Sequence, residues 1–170
     1  MSKELKKEVI EALRELKEAI KPKAVVFGLD RVLVDSSKRY EMCREEAGGY
    51  EKAFWDCFLS EKYMDYDSLR DDVTRVLRSY LVKGYRIIIL AGRVRQTQAR
   101  KTRSQLKRWR IPYHEIIFRE KGDHREDHVY KLEELAKLMG RYRIEALYDG
   151  SDKVLEAVKG KYPRIKAVKV

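Results

Sequence analysis

The sequence predicts an α/β fold: a central parallel sheet of about five strands with helices on both faces. Two observations carry that reading. Short apolar runs stand at AVVFG (24–28), RIIIL (86–90), EIIF (115–118), IEALY (144–148) and IKAVKV (165–170), as strands buried on both faces require. Between them, apolar residues recur every three to four positions, the period of helices that lay one face on a sheet. A chain of 170 residues suits a single domain with a real core.

In chain order, Leu5, Val9, Ala12, Leu13, Leu16 and Ile20 give an amphipathic helix over 2–20 that stops at Lys21-Pro22. Residues 1–22 therefore read as a separate helical segment, free to dock on the domain, on another protein or on a second copy in a homodimer, and 23–170 as the domain. Residues 36–68 break the strand–helix rhythm and predict a small cap-like helical insertion after the first strand. It carries Tyr40, Tyr50, Phe54, Trp55, Phe58, Tyr63 and Tyr66 around a Gly48-Gly49 break. Those aromatics fill the insertion's own core or, alternatively, offer bases a stacking surface. Further helices follow from Leu69, Val73, Val76, Leu77, Tyr80 and Leu81, from Ala99, Thr102, Leu106 and Trp109, from Leu132, Leu135 and Leu138, and from Val154, Ala157 and Val158. Gly84 and Gly140 stand at expected C-caps, and Pro112 and Pro163 follow helix ends.

Composition excludes some classes. The longest uncharged apolar run, Ile87–Gly92, is far short of the roughly 20 residues of a membrane span. The N-terminus lacks the apolar stretch of a secretory signal, so a cytoplasmic protein is expected. Cys43 and Cys57 have no CxxC spacing and no companion His, so no zinc site or disulfide framework can be read from them, and they read as two buried or half-buried thiols rather than a redox site. With no Asn, three Gln and 39% charged residues, the composition is that of a thermophile. Lys and Arg outnumber Asp and Glu by 39 to 28, and nine of the formal +11 charges fall between Tyr85 and Arg110, where no acidic residue occurs. A helix there turns Arg100, Lys101, Arg103, Lys107, Arg108 and Arg110 to water, a solvated face or a sequence-blind nucleic-acid face.

In such a sheet ligands bind beyond the strands' C-terminal ends. Those ends read VVFGLDRVLVDSS (25–37), IIILAGR (87–93), FREKGDHREDHVYK (118–131) and ALYDGSD (146–152). Together they resemble the haloacid dehalogenase (HAD) superfamily of Mg-dependent phosphohydrolases, most closely the 3′-phosphatase domain of polynucleotide kinase. Phe54-Trp55-Asp56 matches that domain's Trp-containing segment. Arg119, Asp123, Arg125, Asp127 and Lys131 match its R-x-x-x-D-x-R-x-D-x-x-x-K run. The resemblance implies a three-layer Rossmann-like HAD fold over 23–170.

The resemblance also locates what is missing. The aspartate that attacks phosphorus and ligates Mg is replaced by Gly28, and the glycine after the acid/base aspartate by Arg31. Asp30 keeps the acid/base position. The phosphate-holding hydroxyl is Ala91, although Gly92 and Arg93 remain, and the acidic pair shrinks to Asp149-Gly150. Lys131 survives. Of four carboxylate positions, at 28, 30, 149 and 150, two are filled, with Asp152 a possible stand-in, so a Mg site is weakened or lost and no other cofactor is expected. Losing a covalent nucleophile costs on the order of 10⁴–10⁶ in kcat.

The sequence thus points to a catalytically degenerate phosphatase whose cleft binds an anion through Arg31, Ala91, Gly92, Arg93, Arg119, Arg125 and Lys131. Its partner would be nucleic acid, a phosphorylated ligand or a protein. An active enzyme, with Asp30 driving a water nucleophile, is the alternative. Asp30 and Asp149 either serve that site or pair with Arg31 and Lys131. Likewise the Arg119–Asp127 run either fixes its loop by ion pairs or touches ligand, while His124 and His128 read as solvated.

Overall fold

The computed structural model describes residues 1–170. Five parallel strands form the central sheet: β1 (Lys23–Phe27), β4 (Arg86–Val94), β5 (Glu115–Arg119), β6 (Arg143–Asp149) and β7 (Lys166–Lys169), in the order β5-β4-β1-β6-β7. Alternation along each strand sends side chains to opposite faces. Val25 and Phe27 of β1 and Ile87, Ile89 and Ala91 of β4 enter one core with Val73 and Leu77 of α4 (Asp71–Val82) and Leu106 of α5 (Arg95–Arg108). Ala24, Val26, Ile88 and Leu90 enter the other with Leu135 and Leu138 of α6 (Asp127–Met139) and Val154, Leu155 and Val158 of α7 (Asp152–Lys161). The uniformly apolar runs are explained by these two cores. Where Phe27 stacks on Tyr148 at 4.9 Å between ring centroids, the aromatic pair adds about 1 kcal/mol beyond its burial.

The chain leaves β1 for β4 and β5 on one side, then crosses to β6 and β7 on the other. The switch point therefore lies over the C-terminal ends of β1 and β6, where a crevice opens. The insertion beside it comprises α2 (Ser37–Ala47), α3 (Glu51–Phe58) and one 3₁₀ turn (Met64–Tyr66). Its base is pinned by the two-residue antiparallel pair β2 (Val34–Asp35) and β3 (Ser68–Leu69).

Two expectations need correction here. Cys43 and Cys57 are not free thiols but a disulfide, with Cα atoms 5.6 Å apart. Gly48 and Gly49, both at positive φ, turn α3 back along α2 and bring together cysteines that their spacing alone does not pair. The bridge lies in a core of only four buried residues, with Ala47 and Phe54, too small to hold two short helices unaided. The aromatics, in turn, divide: Phe54 is buried there and Phe58 packs against it, whereas Tyr40, Tyr50, Trp55 and Tyr66 are exposed.

The first helix, α1 (Lys3–Ala19), is capped by the Ser2 hydroxyl, which accepts from the Leu5 N–H, and none of its residues is buried. It stands off the domain. Lys21, just beyond it, holds the Met139 carbonyl at 3.0 Å. No helix is long and apolar enough to cross a membrane.

Candidate functional site: a charge-locked cleft at the strand ends

A cleft of about 1250 Å³ lies over the ends of β1, β4 and β6. Its floor is built by the loop after β1. The Leu29 carbonyl accepts from the N–H groups of Val32, Leu33 and Val34, which curls the chain tightly enough to put Arg31 at φ 67°. Few side chains tolerate that left-handed conformation; glycine does so without cost. Arg31 is exposed at the cleft wall, and its backbone carbonyl is held by Arg70 at 3.1 Å.

Asp30 does not pair with Arg31. Its carboxylate turns inward, onto Arg39 Nη2 at 2.7 Å and onto Arg93 Nε and Nη2 at 3.0 and 2.8 Å. Arg93 is 1% exposed and uses every N–H it has, the others going to Thr102 Oγ1, Gln105 Oε1 and Asp67 Oδ2 at 2.7–2.9 Å. Arg39, also fully buried, adds Asp67 Oδ1 at 3.0 Å and the Phe58 carbonyl at 2.8 Å. Two arginines and two aspartates thus form a closed, neutral, fully bonded cluster, the condition under which buried charges are tolerated. Burial alone would raise the Asp30 pKa, but Arg93 first and Arg39 second outweigh it and bring it to about 2. At neutral pH this group holds no proton to give.

That geometry corrects the placement of Arg93: it is a buried strut beneath the floor, not a grip on an anion in the cleft. Its partners Arg39 and Asp67 escaped the sequence reading. One signal was available, because Arg39, Cys43 and Ala47 follow at four-residue steps and all three are buried, so an arginine sits on the inward stripe of α2.

On the opposite wall, Lys131 of α6 is locked between Asp149 Oδ2 at 2.8 Å and Asp127 Oδ2 at 3.2 Å. Burial would lower its pKa; Asp149 and Asp127 more than compensate and raise it. The second oxygen of Asp149 accepts from the Ser151 N–H at 2.9 Å. Gly28 is buried between these groups. A Cβ there would lie 2.9 Å from Val32 Cγ2 and 3.1 Å from Asp149 Oδ2, so a side chain enters only if these neighbours give way. Ala91 is buried, and its carbonyl accepts the Tyr130 hydroxyl at 2.8 Å. Gly92 opens onto the cleft.

The outer rim is a network of its own. Arg125 grips Asp123 through Nε at 2.9 Å and Nη2 at 2.5 Å and reaches Glu133 at 2.5 Å, while Arg119 Nη1 donates to the Arg125 carbonyl at 2.6 Å. Both guanidiniums lie over the Tyr130 ring, at 4.3 and 5.2 Å. These arginines therefore spend their donors on their own loop and on the first turns of α6. His124 is exposed, and His128 sits 3.4 Å from Glu126.

The basic run is less bare than its sequence. Arg95 pairs with Glu120 at 2.7 Å, Lys101 with Asp65 at 3.1 Å, and Arg100 lies 3.9 Å from Glu61. Those acids come from the insertion and from the end of β5, so a local count of charges could not find them. Arg103, Lys107, Arg108 and Arg110 remain exposed without an acidic partner.

A sheet ordered β5-β4-β1-β6-β7, with Asp30, Gly92, Lys131 and Asp149 gathered at its switch point, defines a haloacid-dehalogenase-type α/β domain. Within that class, the chain belongs to the family described as the polynucleotide kinase PNKP phosphatase domain, whose model matches residues 56–162. Among solved structures, a chain of the Pnkp1/Rnl/Hen1 RNA repair complex is similar at 26% identity and TM-score 0.70 over 88% of this chain. This chain spans 42% of that one. A HAD-superfamily hydrolase from Ehrlichia chaffeensis (13% identity, TM-score 0.56, covering 88% of this chain and 87% of that one) shares the fold. So does the class C acid phosphatase of Bacillus anthracis (19%, 0.59, covering 95% and 71%). Among curated proteins, none matches the sequence.

The Mg ion implied by this class finds a poor donor set. Asp30 has both oxygens on guanidiniums, Asp149 faces an ammonium and an N–H, and positions 28 and 150 are glycines. Asp152 is exposed, pairs with Lys169 at 2.9 Å and is not part of the cleft wall. Nowhere do three Asp, Glu, His or Cys residues converge.

Proposed function

We propose that the domain binds a terminal phosphate of nucleic acid in the cleft without hydrolysing it. The reading rests above all on the state of the two positions at the end of β1. Position 28 has no nucleophile, a Cβ there would crowd Val32 and Asp149, and the Asp30 carboxylate is tied at both oxygens to buried arginines. Family membership supports nucleic acid as the ligand class, as does the likeness to a chain of an RNA repair complex. As many acidic as basic residues line the cleft, but most of the acids are paired. Arg31, Lys121 and Lys153 have no acidic partner, which leaves unpaired cations to meet phosphate.

The alternative, water activated by Asp30, is disfavoured by the same bonds: with a pKa of about 2 the carboxylate is a weak base as well as an empty acid. The same donor set supports a cleft without functional Mg. A chain without asparagine supports a thermophilic source, the setting in which a disulfide such as Cys43–Cys57 also fits an intracellular protein. The unburied α1 supports a docking role for that helix, a homodimer being one form; comparing the mass in solution with and without residues 1–20 tests it.

The experiment is phosphate release from an aryl phosphate and a 3′-phosphorylated oligonucleotide, with and without Mg, alongside a binding titration of that oligonucleotide. We expect binding that favours the phosphorylated end and release no faster than that of Asp30→Asn. Release that disappears in Asp30→Asn overturns the reading.

A further inference from the structure

We propose that the outer face of α4 and α5 is a second, sequence-blind nucleic-acid surface, separate from the cleft, which grips the phosphodiester backbone. The proposal rests on the reading of nucleic acid as the ligand class. Its first support is a gap in the sequence: between Asp72 and Glu115 there is no carboxylate at all. The gap spans nearly all of α4, β4 and α5, so two neighbouring helices present cations to solvent with no acid of their own. Acids from elsewhere neutralise only the end nearest the insertion, through Glu61, Asp65 and Glu120. The exposed residues left without an acidic partner include Arg75 and Arg78 on α4, Arg103, Lys107 and Arg108 on α5, and Arg110 just beyond it.

A second observation ties the two helices into one surface. Arg78 Nη2 donates to the Arg110 carbonyl at 3.3 Å, so the middle of α4 meets the end of α5 among these cations. At that junction Arg110 takes φ 55°, a left-handed cap conformation in which glycine is the easy choice. The chain keeps a long cation where its backbone would favour none. Strain retained at an exposed position points to a use for the side chain.

The kind of partner follows from what the face lacks. The exposed aromatics Tyr40, Tyr50, Trp55 and Tyr66 all belong to the insertion, and Val82 is the one strongly exposed apolar side chain on α4. A protein interface needs an apolar or aromatic centre, whereas a phosphate backbone needs only spaced cations. Nor is the face an extension of the cleft, because Thr97 is the sole α5 residue that lines it and α4 contributes none.

The test measures binding of a mixed-sequence duplex and of the same strand alone to the full chain across a salt series. Charge reversal of Arg78 and Lys107 to Glu is compared with reversal of Lys159 and Lys166, two exposed cations on α7 and β7 without acidic partners, so that net charge is matched. Reversal on the α4–α5 face should weaken binding by at least about tenfold and flatten the dependence of log K on log salt by about 2, while the matched pair stays within about twofold of wild type. Thermal melting of each variant establishes that it is folded.

Equal losses in both pairs overturn the proposal, because net charge alone then suffices. So does wild-type affinity in the α4–α5 variant, and so does competition by polyglutamate as strong as by duplex, the mark of an acidic protein partner. Arg31→Ala separates the two readings. It should abolish the preference for a 3′-phosphorylated end and leave the salt-dependent affinity intact. Loss of the α4–α5 effect with end preference kept defeats this proposal alone, whereas an end preference unchanged by Arg31→Ala defeats only the cleft reading.

Discussion

Replacing Asp30 by Asn keeps the shape of the side chain and removes its charge, which leaves Arg39 and Arg93 facing Asp67 as their only carboxylate. The cost can be worked from the pKa. Asp30 titrates at about 2 in the folded protein, against an ordinary value of 3.8. That difference corresponds to about 2 kcal/mol of preference for the ionised form in the fold. The amide forfeits it and also strands guanidinium donors, so a loss of about 2–4 kcal/mol is expected at pH 7. The sign of the pH dependence follows from a depressed pKa: the stabilisation is complete above about pH 4 and is lost as pH falls toward 2. Urea unfolding of wild type and Asp30→Asn from pH 7 to pH 2.5 measures it. The gap between the two should be widest at neutral pH and shrink across that acid window; carboxylates away from the cluster are common to both proteins, and only Asp67, whose pKa Asp30 helps to raise, shifts with the substitution. A gap that is absent at pH 7, or that persists undiminished to pH 2.5, would refute the view that Asp30 is a structural counter-ion.

Gly28→Asp, which restores the family's nucleophile, should produce no phosphate release with or without Mg. It should also lower stability by about 1–3 kcal/mol in urea unfolding, since its Cβ would meet Val32 at 2.9 Å and its carboxylate would crowd Asp149. Cys43→Ser with Cys57→Ser opens a loop closed across 14 residues and should cost about 3 kcal/mol, with hydrogen exchange accelerated over 37–58 more than in the sheet; uniform acceleration would deny the bridge a local role. Arg31→Gly relieves a left-handed arginine at φ 67° and should stabilise the domain by about 1 kcal/mol in thermal melting, while weakening capture of a 3′-phosphorylated oligonucleotide. Loss on both counts would show the side chain to be structural.

What the sequence made legible follows the range of the interactions concerned. The five strands and the helices between them are visible because burial on two faces writes an uninterrupted apolar run, and burial on one face a three-to-four repeat. Gly28, Arg31, Ala91 and Gly150 are visible because each sits at a fixed offset from a strand end. Arg39, Asp67 and Gln105 are not, because their roles depend on the insertion folding back over β4 and α5, contacts tens of residues apart in sequence that leave no local periodicity. Arg93 was misplaced for the same reason: its position at the end of β4 was right, but only the packed insertion shows that the guanidinium points down to Asp30 and Asp67. The disulfide was missed because pairing Cys43 with Cys57 needs the reversal at Gly48-Gly49 and the meeting of two helix faces.

The charge bookkeeping of the cleft connects these facts. In an active relative the nucleophile and the acidic pair present carboxylates that a divalent cation must neutralise. Here positions 28 and 150 carry no charge, and each remaining acid has a protein cation at salt-bridge distance: Asp30 has Arg39 and Arg93, and Asp149 has Lys131. The protein's own cations thus fill the electrostatic place of the metal. A floor neutralised in this way has its carboxylates matched by protein cations, and it offers an incoming phosphate no cluster of unpaired carboxylates to repel it. The free charge that remains, on Arg31, Lys121 and Lys153 around the mouth, is of the sign that retains an anion. Under the proposed function, the glycines at positions 28 and 150 act twice: they take carboxylates out of the floor, and they leave it able to meet an anion without a metal.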